Sequence, residues 1–170
     1  PAEIDPDLFR SLPDLLEHIF RKYADRPAYH NLGRTITYAE LERLSRDFAA
    51  FLQGLPGVAS GDRVAIILPQ RPETGIAHMA CYQMGAIAVP VSHLFGADAL
   101  EFRLSHAGVR VAIIDEGGLE KLGAVREKLP ELKHVMGSLL PDDLAESLRR
   151  AIVLRFAGPE TMETKIFGRL

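Results

Sequence analysis

Cysteine occurs once in 170 residues, as Cys81, which excludes an intramolecular disulfide and any multi-cysteine zinc site and suits a reducing compartment. Charge of one sign is lacking too. The 20 Lys plus Arg and 23 Asp plus Glu leave a net charge of −3, with no electrostatic ground for holding a nucleic-acid backbone or an anionic lipid surface. Nucleic acid is not an expected partner. No apolar run reaches the ~18 residues of a membrane span, and the first ten residues carry Glu3, Asp5 and Asp7 without a basic, apolar stretch. Neither a transmembrane segment nor a secretory signal is expected, and the cytoplasm is the default location.

The strongest catalytic and nucleotide fingerprints are also missing. No Gly-x-Gly-x-x-Gly follows an expected strand, no Gly-x-x-x-x-Gly-Lys-Ser/Thr phosphate loop occurs, and Gly-x-Ser-x-Gly, the nucleophile elbow of serine hydrolases, is absent. His93 and His106 fall on different expected elements, so no metal site is assigned.

What is present is a core. A 47% hydrophobic and 25% charged composition is ordinary for a globular domain, and the length suits about one. Ser11 can cap a helix with Pro13 in its first turn and Leu12, Leu15, Leu16, Ile19 and Tyr23 on one stripe, which leaves His18 solvated. A hairpin over 27–31 and 34–38 should follow. Thr37 and Glu40 then form a capping box ahead of a helix carrying Leu41, Leu44, Phe48, Phe51 and Leu52, which should stop near Gly54.

Beyond residue 63 the pattern alternates. Strands are expected at 64–68, 86–91, 110–115 and 133–136, and helices at 72–84, 97–106 and 118–129. The first strand, Val64-Ala65-Ile66-Ile67-Leu68, is continuously apolar, the mark of a parallel strand covered on both faces. The fold class is therefore α/β, a mainly parallel sheet with helices on both faces. After residue 137 the pattern changes to a polar-capped helix over 141–153 and a tail from Phe156 without sheet period, which divides the chain into 1–137 and 138–170. Asp115 ends the third strand, where α/β proteins bind ligands, although an acid there is more commonly a helix cap. Cys81, inside an apolar helix, reads as a small buried side chain.

Three stretches carry a resemblance: Thr35-Ile36-Thr37-Tyr38-Ala39-Glu40-Leu41, Gly61-Asp62-Arg63-Val64-Ala65, and Met84-Gly85-Ala86-Ile87-Ala88-Val89-Pro90-Val91. Their order and spacing resemble the amino-terminal portion of the adenylate-forming (AMP-binding) acyl-CoA synthetases, closest in wording to fatty-acyl and other carboxylate-CoA ligases. Pro27-Ala28, Leu100-Glu101-Phe102-Arg103-Leu104 and Ala107-Gly108 agree. The resemblance implies a parent enzyme that activates a small-molecule carboxylate with ATP and magnesium to an acyl-adenylate, then passes the acyl group to coenzyme A.

That family's Ser/Thr/Gly-rich phosphate loop, magnesium-holding Glu motif and ribose-binding Asp motif have no counterpart in these residues. The chain alone is therefore expected to bind none of these cofactors and to be inactive. Near the end, Pro159-Glu160-Thr161-Met162-Glu163-Thr164-Lys165-Ile166 is similar to the family's last motif, with Thr164 in place of the usual Gly. The resemblance makes Lys165 the candidate catalytic residue, a cation for charge developing between carboxylate and phosphate. The tail would then be a remnant of a carboxyl-terminal domain. A non-catalytic α/β relic or interaction module is the alternative, and an unrelated doubly wound binding domain is a third reading.

Overall fold

Ser11 opens the fold: its side chain accepts the Asp14 N–H at 3.3 Å and starts helix α1, Leu12–Lys22. A computed structural model describes residues 7–138, 152–156 and 162–166. Strands β1 (Pro27–Asn31) and β2 (Arg34–Thr37) form the expected antiparallel hairpin. At its end Thr37 Oγ1 accepts the Glu40 N–H at 3.2 Å while Glu40 Oε2 accepts the Thr37 N–H at 2.8 Å. This reciprocal capping box begins α2 (Tyr38–Gln53), which stops at Gly54.

Four parallel strands make the centre: β3 (Arg63–Ile67), β4 (Ile87–Pro90), β5 (Val111–Asp115) and β6 (His134–Ser138). Helices α3 (Pro72–Met84), α4 (Ala97–Ala107) and α5 (Glu116–Gly123) connect them. Two antiparallel strands, β7 (Ile152–Phe156) and β8 (Met162–Ile166), extend the sheet to the order β4-β3-β5-β6-β7-β8.

Side chains alternate across the sheet, so two cores form. Val64, Ile66, Val111, Ile113 and Met136 pack with the α1, α2 and α3 side, including Phe20, Leu52 and Ile76. Ala65, Ile67, Ala112, Ile114 and Val135 pack with Leu100 and Leu104 of α4 and Leu122 of α5. A strand sandwiched in this way is apolar through its buried positions, as Val64–Ile67 of β3 are.

Several expectations need correction. Strand β4 is not buried on both faces. It is the sheet edge, with Ile87 52% exposed, because only β3 pairs with it. In α1 the buried residue is Phe20, at 2% exposure, and Leu12 is 53% exposed, so the inward face is rotated from the expected stripe. The helix expected at 118–129 begins earlier and ends at Gly123, followed by a 3₁₀ turn at Arg126–Lys128. That turn lets Arg126 donate to the carbonyls of Leu129 (3.0 Å) and Leu132 (2.6 Å). Of the helix expected at 141–153, residues 141–151 lie outside the described residues. Ile152 and Val153 are in strand β7, where a β-branched pair is favoured. The tail likewise contains a strand, β8, whose backbone pairs with β7.

Candidate functional site

The chain runs from β3 to β4 on one side, then returns past β3 to β5 and β6. This reversal puts a topological switch point between the carboxyl ends of β3 and β5, the place where open α/β sheets bind ligands. Asp115 stands there, and its Oδ1 accepts the Gly118 N–H at 2.9 Å as the N-cap of α5. Its side chain is thus committed to the helix. At the neighbouring end of β4, Lys121 donates to the His93 carbonyl at 3.3 Å, and the Arg103 guanidinium lies 4.0 Å over the Phe95 ring.

Beside the end of β3, a groove of about 550 Å³ opens between β1 and the first half of α3, lined by Tyr29, His30, Arg71, His78 and Tyr82 among others. A Cβ at Gly75 would lie 2.6 Å from Cζ of Tyr29 and closer still to its hydroxyl, so a side chain there requires the phenol to move. Burial, and then the neighbouring Tyr38, push the Tyr29 phenol above its ordinary value. His78 Nδ1 lies 2.7 Å from the Thr74 carbonyl, which can only accept, so Nδ1 carries the proton and Nε2 is the free ring atom.

The stretches that carry the family resemblance lie elsewhere and are structural. Thr37 and Glu40 start α2. Asp62 accepts the Ala59 N–H at 2.8 Å and faces Arg110 Nε at 3.5 Å, while Arg63 donates to the Ala107 and Gly108 carbonyls at 3.1 and 2.7 Å, closing the end of α4. Gly85 ends α3 in the left-handed conformation, φ 73°. All of these serve the amino-terminal end of the parallel sheet or a helix terminus, where stability is built.

The other singled-out residues separate. Cys81 is buried, and burial pushes its thiol up to about 12, so it offers no nucleophile. His18 is exposed and lies 5.2 Å from the Phe9 ring, and His106 stacks on Phe102 at 5.7 Å. Among the described residues no group of three His, Cys, Asp or Glu could hold a metal ion. Lys165 lies on β8, its backbone opposite Val153. The Tyr29–Arg71–His78 groove escaped the sequence reading; its only local trace is Gly75, a glycine inside a helical pattern. No Gly-x-x-x-x-Gly-Lys-Ser/Thr phosphate loop occurs in the sequence.

A doubly wound α/β domain with its ligand edge at the carboxyl ends of β3 and β5 is what this geometry defines. The family model for AMP-binding enzymes matches residues 16–160, and the chain belongs to that family. It is 38% identical over 145 residues to the long-chain-fatty-acid–CoA ligase of Salmonella typhimurium strain LT2, a match covering 85% of this chain and 26% of that protein. The fatty acyl CoA synthetase of Mycobacterium tuberculosis superposes with a TM-score of 0.72 at 28% identity, over 83% of this chain and 28% of that one. In fold alone, an anthranilate CoA ligase crystallised with anthranoyl-AMP is similar, with a TM-score of 0.74 at 23% identity, over 95% of this chain and 30% of that one. The chain thus spans about a quarter of the length of the curated relatives it matches. No helix among the described residues is long and apolar enough to cross a membrane.

Proposed function

We propose that this chain is the amino-terminal part of an ATP-dependent fatty-acid or related carboxylate–CoA ligase. The parent forms an acyl-adenylate and then an acyl-CoA thioester. The observation that carries the reading is the family match over residues 16–160 together with 38% identity to a long-chain-fatty-acid–CoA ligase. Residues 1–137 supply sheet scaffold and part of the acyl-side wall, and 138–170, which holds Lys165, is a remnant of the carboxyl-terminal domain. The presence of a single cysteine suits a reducing, cytoplasmic location.

Alone the chain is inactive. Stabilising the charge that develops in adenylyl transfer takes preorganised cations and N–H donors around the phosphates. ATP, magnesium and coenzyme A are therefore cofactors of the intact protein, in which one bound ATP supplies the AMP leaving group. The test is ATP–pyrophosphate exchange. The chain alone should give no exchange with any carboxylate, and a protein that contains it together with the family's phosphate-loop and magnesium motifs should give exchange and thioester with fatty carboxylates. Carboxylate-dependent exchange by the chain alone overturns the inactivity. A complete protein without thioester formation overturns the ligase reading in favour of a non-catalytic interaction module.

A further inference from the structure

The groove beside α3 has a charge pattern that nothing in the ligase reading uses. The whole chain carries more acidic than basic side chains, yet none of the residues lining this groove is acidic. Arg71, His30 and His78 line it instead. The Arg71 side chain caps no helix N–H, and among the described residues it makes no ion pair or hydrogen bond, so its guanidinium is open to an anionic ligand. His78 Nε2 is free because Nδ1 is held by the Thr74 carbonyl. Met79, Tyr29 and Tyr82 supply an apolar and aromatic wall, and the volume of about 550 Å³ lies within the range of small-ligand sites.

From this arrangement we infer that the groove binds a phosphomonoester carried on an apolar or aromatic body. A guanidinium matches phosphate oxygens two at a time. A phosphomonoester, close to dianionic, suits a groove that sets the Arg71 guanidinium beside two imidazole rings and no acidic side chain, whereas a carboxylate offers fewer oxygens and less charge to it. The organic body lies over Met79 and Tyr82, and Tyr29, seated against Gly75, closes one side. The inference does not depend on the ligase reading, since it rests on the groove's own residues.

The test is a calorimetric titration of the 170-residue chain with phenyl phosphate, with benzoate and benzyl alcohol as controls. Flotation with phosphatidylcholine vesicles containing phosphatidic acid runs in parallel. Phenyl phosphate should bind saturably at one site and more tightly than either control. Arg71→Gln should weaken it roughly ten- to a hundredfold, the loss expected for a charge-assisted pair, with an unchanged thermal melt. Arg103→Gln, a cation outside the groove, should leave binding unchanged. Vesicle capture that also disappears in Arg71→Gln identifies a lipid headgroup as the source of the phosphate; soluble binding without capture identifies a free phosphoester. No saturable phenyl phosphate binding, benzoate binding as tight, or insensitivity to Arg71→Gln overturns the inference.

Discussion

The phenol of Tyr29 occupies the space that any side chain at position 75 would fill, with its Cζ only 2.6 Å from where a Cβ on Gly75 would stand. Glycine inside a helix costs about 1 kcal/mol relative to alanine, so α3 gives up helix stability to admit a residue of the hairpin. This contact joins β1 to α3 and shapes the groove between them.

Gly75→Ala should therefore destabilise by about 1 kcal/mol despite its better helix propensity, because the phenol is displaced. In a Tyr29→Ala background the same change should stabilise by about 1 kcal/mol. A double-mutant cycle by urea unfolding checks the change of sign; strictly additive values would refute the contact.

Ile66, at the centre of β3 and 2% exposed, pairs beside Pro90 on β4 and Ile113 on β5. Ile66→Asp should cost several kcal/mol, the penalty of burying a carboxyl without a partner. Denaturation of the variant close to that of the parent would sink the two-faced burial of this strand.

The Thr37–Glu40 box predicts a graded series. Thr37→Ala should lower stability by about 1 kcal/mol and Glu40→Ala by less, while Glu40→Gln keeps most of the parental value because an amide oxygen can still accept the Thr37 N–H. Thermal melts of the three variants read the order directly.

Cys81 gives a pH prediction. Its folded thiol lies at about 12 against an ordinary value of 9.0, so above pH 9 the unfolded chain releases a proton that the folded chain retains. The unfolded state then binds fewer protons, and stability falls as pH rises, by at most ~1.4 kcal/mol per pH unit from this group. Below pH 9 the contribution is fully present. Cys81→Ala should show a shallower decline between pH 9 and 11 in urea titrations; identical slopes would contradict the buried thiol.

For Lys165 the measurement belongs to the full-length protein. Lys165→Ala should slow adenylation roughly a hundredfold, the scale of losing one stabiliser of developing charge, and change stability by no more than ~0.5 kcal/mol. Thioester formation from a preformed acyl-adenylate should persist, because the role proposed for the lysine belongs to the first half-reaction. Parental adenylation by the variant would refute the catalytic role of Lys165.

The sequence by itself determined the local elements: the Ser11 and Thr37 caps, the stop at Gly54, the limits of α3, the apolar run of β3 and the capping role open to Asp115. Caps, turns and the 3.6-residue period act over a few neighbouring positions, so they leave a legible local trace. It also placed the chain beside its family, through stretches that turn out to start helices, end them and anchor strands. The tertiary structure alone decided the order β4-β3-β5-β6, and with it the exposure of Ile87 on an edge strand. It decided that Phe20 faces inward, and it set the antiparallel strands Ile152–Phe156 and Met162–Ile166 where a helix end and a tail without sheet period were expected. The candidate groove belongs to the same class. Tyr29 and Gly75 meet across 46 positions of chain, and such contacts are set by the packing of a hairpin on a helix, which no local periodicity encodes.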